Sequence, residues 1–153
     1  TYYKSFTPTL QQRLKAYTQG GGALLVSGSY IGSDMTTPDE RHFLSDVLKV
    51  SYPTNDSITQ TTDSVSGLGL RFAYYHTLND RHYAATHPDV LLPTTTVVTA
   101  PFSAMVYTSG SSAAVAYRGN DYRSFTMGFP LECINEEKTR TSILLGILRF
   151  LTE

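Results

Sequence analysis

At 153 residues and a formal net charge of −1, the chain is long enough for one domain with one core and too short for two ordinary domains. Apolar residues make up 41% of it and charged residues 16%, which is typical of a globular protein. The near-zero charge offers no electrostatic attraction for nucleic acid, and no apolar run approaches the ~20 residues of a membrane span.

The single cysteine, Cys133, excludes an internal disulfide and any metal site built from several cysteines. The chain has 11 tyrosines among abundant serine and threonine, a surface chemistry that favours carbohydrate-handling proteins outside the cytoplasm. We therefore expect a secreted, periplasmic or cell-surface protein, and we expect no cofactor.

The first predicted element is a helix that begins at Thr7 and Pro8, a threonine cap followed by proline in the first helical position. Leu10, Leu14 and Tyr17 recur at i, i+4 and i+7, which predicts one buried stripe. The glycines at 20–22 end this helix with a left-handed cap.

An apolar run without alternation follows at residues 23–26 and predicts a buried parallel strand. The turn after it, residues 28–32, has the G-x-x-x-G spacing of a nucleophile elbow, in which a sharp bend lifts the central side chain above the sheet. That central residue is Tyr30, which is not an acyl-transfer nucleophile at neutral pH. Ser27 or Ser29 would serve only with a histidine in reach. Otherwise the turn is needed for packing alone.

A second helix is predicted to begin at Thr37 and Pro38, because Glu40 stands three residues after the threonine and completes a capping box. Its predicted buried face consists of Phe43, Leu44, Val47 and Leu48.

The pattern then weakens, and residues 57–62 alternate enough to predict an edge strand. Glycines mark a turn at 67–69. Prolines make a continuous helix over residues 74–89 unfavourable. Three strands are predicted at residues 104–108, 113–118 and 122–129, and a tight hairpin at 119–121 joins the last two.

The final helix is predicted to be capped by Asn135, and Gly146 to let it lie close to the sheet. Its predicted buried stripe is Ile143, Leu144, Ile147, Leu148 and Leu151. Cys133 lies just before this helix, where the helix dipole can lower a thiol pKa. The alternative is that Cys133 is a small buried residue.

The loop at residues 75–87 is rich in tyrosine and histidine. In a polysaccharide β-elimination, a tyrosine or histidine abstracts the proton next to the uronate carboxylate, while Asn79 or Arg81 offsets its charge. The same residue types also form sugar-binding loops, or simply pack and hydrogen-bond. The spacing of His76, His82 and His87 matches no metal motif, so no metal is expected.

The candidate site residues come from this loop, from the turn at 28–32 and from the segment before the last helix. For catalysis they are Tyr30, His76, His82 and Glu132, and for substrate binding Ser29, Tyr30, Asn79, Arg81 and Tyr83.

Two segments carry a family resemblance, namely G-G-x-L-L-V-S-G-S-Y-x-G at 21–32 and F-L-x-x-V-L-K-V at 43–50. The chain resembles the class I glutamine amidotransferase-like α/β domains, including non-catalytic ones appended to glycoside hydrolases. With G-F-P-L-E at 128–132, it resembles more narrowly such domains of the proteins called xanthan lyases in gut Bacteroidetes. The resemblance spans most of the chain and implies a three-layer, flavodoxin-like fold.

Active members of that family place cysteine at the centre of the elbow, where this chain has Tyr30. They also place histidine and glutamate in a Phe-His-Pro-Glu motif, of which Glu132 remains while the histidine does not. Nucleophile and base are both missing, so the resemblance implies a domain without amidotransferase activity.

We thus expect residues 1–153 to form a single α/β domain with a mixed sheet, a C-terminal hairpin and a final helix. Family members usually begin with further βα units, so the domain is expected to be incomplete. A second copy or other domains of the parent protein would then cover its exposed strand edges.

The expected function is a non-catalytic structural or interaction module of a secreted polysaccharide-active protein. The alternatives are a lyase or hydrolase acting on an acidic polysaccharide, and a carbohydrate-binding module.

Overall fold

A computed structural model describes residues 4–53, 64–78, 80–95 and 100–153. The helices are α1 (Pro8–Gln19), α2 (Pro38–Phe43) and α3 (Glu137–Thr152). The strands are β1 (Ala23–Ser27), β2 (Val50–Ser51), β3 (Ser64–Gly67), β4 (Leu70–Ala73), β5 (Leu92–Pro93), β6 (Phe102–Tyr107), β7 (Ser112–Arg118) and β8 (Arg123–Met127). A π-helical turn (Leu44–Leu48) continues α2, and a 3₁₀ turn (Leu131–Cys133) precedes α3. The edge strand predicted at 57–62 lies outside the described residues.

The main sheet is mixed, with the strand order β1-β8-β7-β6-β3-β4. Its one parallel pair among the described strands is β1 with β8, and the other neighbours are antiparallel. β2 and β5 form a separate antiparallel ribbon. The predicted α/β class, the last three strands and the hairpin between β7 and β8 are therefore confirmed.

Helices pack on both faces of this sheet. In β7, Ala114 and Ala116 belong to the core beneath α3, whereas Val115 belongs to the core beneath α2 and its π-helical turn. This alternation follows from the two-residue period of a strand. β7 is thereby buried on both faces. Its neighbour β8 ends at Met127, opposite Ser27, so it ends where the bend that follows β1 begins.

The prediction that β1 is buried is wrong. The strand is parallel, as expected, but all its residues are only half-buried. The reason is its position, since β1 stands at one end of the strand order and, among the described strands, pairs with β8 alone. An apolar run without alternation does not distinguish a central strand from such an edge.

α1 begins as predicted, with the Thr7 side chain accepting a hydrogen bond from Leu10 N. It ends in a Schellman motif around Gly21, whose φ is 89°. The predicted buried stripe is wrong at Leu10 and Tyr17, which are exposed. The Tyr17 ring instead covers Gly22, leaving no room there for a Cβ, and its hydroxyl donates to Ala23 O.

α2 matches its prediction closely. Thr37 Oγ1 accepts from Glu40 N at 3.2 Å, and the Glu40 carboxylate accepts from Thr37 N at 3.0 Å. This reciprocal pair is the predicted capping box. The predicted apolar face, Phe43, Leu44, Val47 and Leu48, is buried.

α3 differs from its prediction at both the cap and the stripe. The capping position is Glu136, whose side chain makes no cap hydrogen bond, while Asn135 N donates to Ala73 O. Ile143, Ile147 and Leu151 are buried, but Leu148 is exposed, because the contact with the sheet is a narrow i, i+4, i+8 line. Gly146 does allow a close approach, to Leu68 of the β3–β4 turn.

Candidate functional site

The bend after β1 holds its central residue in a rare conformation. Tyr30 has φ of 61°, in the left-handed region that favours glycine. Its side chain is 38% exposed. The bend therefore turns sharply and presents the tyrosine at the surface, as the elbow-like spacing predicts.

A buried carboxylate fixes the backbone of this bend. Asp89 is 1% exposed, and its Oδ2 accepts hydrogen bonds from Gly32 N at 2.9 Å, Ser33 N at 2.9 Å and Ser33 Oγ at 3.0 Å. A buried charge is stable only when it is paired in this way. Asp89 thus compensates for the cost of the strained Tyr30 backbone.

The other oxygen of Asp89 binds a histidine. His87 Nδ1 lies 2.9 Å from Asp89 Oδ1. Because a carboxylate accepts, Nδ1 carries the proton, and in the neutral imidazole Nε2 is then the basic nitrogen. The arrangement has the form of the carboxylate–imidazole pair found in general-base sites.

The imidazole also contacts the bend directly. Its ring stacks on the Tyr30 ring with centroids 4.1 Å apart and planes inclined by 18°. Tyr30 N donates to His87 O at 3.3 Å. We call Tyr30, Ser33, His87 and Asp89 the bend cluster.

The end of β8 holds the bend cluster in place. Asp89 N donates to Gly128 O at 2.8 Å, and Tyr107 Oη donates to Asp89 O at 2.7 Å. A Cβ at Gly128 would collide with the Asp89 carbonyl, so glycine is required there. Burial raises the pKa of Tyr107 far above its usual range, which keeps its hydroxyl a neutral donor.

A second buried carboxylate lies near this cluster. Asp34 Oδ2 accepts from both Ser5 N and Ser5 Oγ at 2.9 Å, while Oδ1 has no hydrogen-bond partner among the described residues. Burial, together with the negative charge of Asp89, raises the pKa of Asp34. The surroundings of the bend therefore disfavour further negative charge.

The serines weighed as nucleophiles do not meet a histidine. Ser27 Oγ accepts from Leu131 N at 3.3 Å, which ties β1 to the segment before α3. Ser29 is half-buried beside Tyr30. In the described ranges, no hydrogen bond joins either hydroxyl to an imidazole.

The other loop candidates form a separate group. The His82 ring stacks on Tyr75 with centroids 3.5 Å apart, and Arg81 and Tyr83 are exposed beside it. His76 is exposed as well. His87 connects the loop with the bend, through the stack of its ring on Tyr30 and the hydrogen bond from Tyr30 N to its carbonyl. Asn79 lies outside the described residues.

The candidates before α3 are also explained by position. Cys133 is fully buried, and burial raises the pKa of its thiol to about 11. The interpretation as a small buried residue is therefore confirmed, and the dipole-activated thiol is wrong. Glu132 is exposed on the 3₁₀ turn.

Among the described residues, no group of His, Cys, Asp and Glu side chains is arranged to hold a metal ion.

Sequence reasoning missed Asp89, the residue that organises the cluster. The available signal was His87-Pro88-Asp89, in which a histidine and a carboxylate stand two residues apart after a polar aromatic loop. Nothing in the local pattern connects this tripeptide with a turn 57 positions earlier.

Comparisons with known proteins give a likeness of fold. No protein-family model and no curated protein matches the chain. Among solved structures, it is similar to the exo-β-1,4-mannosidase Op5Man5 from Opitutaceae bacterium strain TAV5, with a TM-score of 0.54 and 10% identity. The match covers 95% of this chain and 22% of the mannosidase, so the chain spans about a fifth of that protein's length.

Within the described residues, no helix has the length and apolar character needed to cross a membrane.

Proposed function

We propose that the chain is a non-catalytic structural or interaction module, amidotransferase-like and flavodoxin-like in type, of a secreted protein that acts on polysaccharide. One observation carries the proposal. The position that a nucleophile would occupy holds Tyr30, and its ring is stacked on the imidazole that would otherwise serve as a base.

The chemistry of the bend cluster supports a holding role. Asp89 uses one oxygen on three donors of the bend and the other on His87. Every partner of the carboxylate thereby fixes the shape of the bend. The thiol of Cys133, with its raised pKa and full burial, does not replace the missing nucleophile.

The structural neighbour supports the polysaccharide context. Its name describes an enzyme that cleaves β-1,4-mannosides, and this fold occupies about a fifth of its chain. A domain of this size within a longer glycoside hydrolase is in keeping with an accessory module.

An activity panel tests the proposal. We expect no glutamine hydrolysis, and no release of unsaturated uronate or reducing sugar from acidic or neutral polysaccharides, when an active lyase and an active glutaminase serve as positive controls. Turnover that co-purifies with the chain and is lost in His87→Gln would contradict the proposal.

A polysaccharide lyase is the second candidate, and the Tyr30–His87 stack favours it. A phenol beside a carboxylate-bound imidazole has the groups that a β-elimination needs for proton transfer. If this function holds, Tyr30→Phe and His87→Gln each lower the rate by about 100-fold or more while the circular dichroism is unchanged. Exposed Lys15→Gln on α1 is the matched control and leaves the rate unaltered.

A further inference from the structure

A groove runs between α1 and α2, on the face of the sheet opposite α3. Its volume is about 520 Å³, and we call it the helix groove. None of the residues that line it belongs to the bend cluster. The groove is therefore a second site, independent of the bend.

The floor of the helix groove is apolar and belongs to the core. Phe43 and Val47 close it and are only 7% and 3% exposed, and the exposed Pro8 lies beside them. Behind the floor, the Phe6 ring packs on the Phe43 ring with centroids 5.1 Å apart. A floor held in this way is ordered before a ligand arrives, which lowers the entropy cost of binding.

One wall of the groove is acidic. Asp39, His42 and Asp46 recur at i, i+3 and i+7 along α2 and its π-helical turn, and all three are exposed. Among the described residues, no hydrogen bond or ion pair engages the Asp39 carboxylate. The Asp46 carboxylate accepts only from the adjacent Ser45 Oγ, at 3.5 Å. This wall thus presents two available carboxylates, roughly 10 Å apart along the helix axis.

The lysines at the groove do not cancel this charge. Lys4 Nζ lies 2.9 Å from Glu40 Oε1, so these two charges offset each other. Lys15 is then one positive charge against the two carboxylates, and the α1 wall otherwise presents the neutral amides of Gln11 and Gln12. A basic partner therefore complements the groove, whereas an acidic or phosphate-bearing partner is repelled by the α2 wall.

The shape of the groove indicates a helical partner. Its lining residues belong to α1, to α2 and to the π-helical turn, apart from Lys4 and Thr37. An extended peptide would find no strand edge to pair with there, whereas a helix satisfies its own backbone groups. A helix can also place apolar residues at i, i+3 and i+7 on the floor and turn one basic flank towards the α2 wall.

We propose that the helix groove binds a basic amphipathic helix of a partner protein. Its apolar face lies on the floor formed by Pro8, Phe43 and Val47, and basic residues about two turns apart pair with Asp39 and Asp46. This inference rests on the interaction role proposed above and deepens it by naming the surface and the class of partner.

Three matched peptides of about 18 residues test the proposal. The first has leucine at i, i+3, i+7 and i+10 and lysine on both flanks. The second replaces every lysine with glutamate, and the third replaces every leucine with alanine. In an NMR titration of the full chain at low salt, we expect the first peptide to shift the resonances of residues 8–15 and 39–47. It should bind at least tenfold more tightly than either of the others.

Variants of the acidic wall then separate this site from general charge. Asp39 and Asp46 are exposed, so Asp39→Asn and Asp46→Asn should retain the fold, and each is expected to weaken binding of the first peptide about threefold. The double variant Asp39→Lys with Asp46→Lys should instead prefer the glutamate peptide. Glu137→Gln removes an exposed carboxylate from α3, on the other face of the sheet, and is the control that leaves binding unchanged.

Three results would overturn the assignment. They are the absence of shifts at residues 8–15 and 39–47, equal affinity for the lysine and glutamate peptides, and an equal loss in Glu137→Gln and Asp46→Asn. Turnover in the activity panel would instead contradict the non-catalytic function and leave peptide binding in place, so the two failures are distinguishable.

The same titration identifies two other occupants, either of which would also overturn the proposal. If the resonances of the groove move as the chain alone is concentrated, the groove is an interface between two copies. If removal of residues 1–3 tightens peptide binding tenfold or more, the groove belongs to the first residues of the chain itself.

Discussion

Tyr30 has a left-handed backbone conformation, which residues other than glycine disfavour. A left-handed φ costs a residue with a Cβ about 1 kcal/mol, and glycine avoids that cost. We therefore expect Tyr30→Gly to be about 1 kcal/mol more stable to unfolding than Tyr30→Ala, although both lose the stack on His87. Urea denaturation measures the difference.

The matched pair for this comparison lies within α1. At the exposed Lys15, where the backbone is helical, Lys15→Ala is expected to be about 1 kcal/mol more stable than Lys15→Gly. The order of glycine and alanine is thus reversed between the two positions. If the alanine variant were the more stable one at position 30 as well, the bend would not be under backbone strain.

Asp89 is the residue on which the bend depends. Asp89→Ala leaves Gly32 N, Ser33 N and Ser33 Oγ without their acceptor, and we expect a loss of about 3 kcal/mol in the free energy of unfolding. Asp89→Asn should lower the free energy of unfolding less. The side-chain oxygen of asparagine still accepts from the bend, and its NH₂ group donates to Nδ1 of the other His87 tautomer. The exposed Asp46→Ala, on the π-helical turn, is the control and should change stability by less than about 0.5 kcal/mol.

At the scale of elements, the start of α2 carries a pH-dependent contribution. Burial alone would raise the pKa of Glu40, but hydrogen bonds from Lys4 and Thr37 and the charge of Lys4 lower it from 4.5 to about 2. A lowered carboxylate pKa stabilises the fold above the unfolded value, and this stability is lost as pH falls from about 4.5 towards 2.

Glu40→Gln isolates that contribution, because glutamine also completes a capping box. The stability difference between the native chain and Glu40→Gln should be about 1 kcal/mol at pH 7, since solvent screens the partly exposed Lys4. It should vanish near pH 2. A difference that does not vary with pH would show that the Lys4–Glu40 pair, 2.9 Å apart, contributes nothing through its charge.

Elements specified by short-range chemistry were predictable from the sequence. The α2 capping box depends on residues three apart, and the β7–β8 hairpin on a turn between two strands. The sharp bend at Tyr30 also follows from local glycine spacing. For such features, local preference and the final fold agree.

Features decided by distant neighbours were not predictable. Whether β1 is central or outermost depends on strands about 100 residues away. Tyr17 and Leu148 obey helical spacing, yet the sheet leaves both exposed. In the bend cluster, Asp89 joins its own segment to the turn after β1. Neither segment has a sequence periodicity that indicates the other as its partner.

At the scale of the whole molecule, the edge of β1 that faces away from β8, to which no described strand is bonded, predicts self-association. The strand Ala23–Ser27 carries no charge and no proline, the features that commonly protect an edge. We expect light scattering of the chain to give an apparent mass that rises above 16.9 kDa with concentration. A constant mass of 16.9 kDa at all concentrations would show that the edge is protected.

The parallel pairing of β1 with β8 also sets an order of events in time. Ala23 lies opposite Arg123 in that pair, so its formation closes a long stretch of chain, whereas β6, β7 and β8 follow one another directly. We therefore expect the β6–β8 meander to be present in the folding transition state and β1 to dock after it. In stopped-flow measurements, Val115→Ala should slow folding, and Leu25→Ala should mainly speed unfolding.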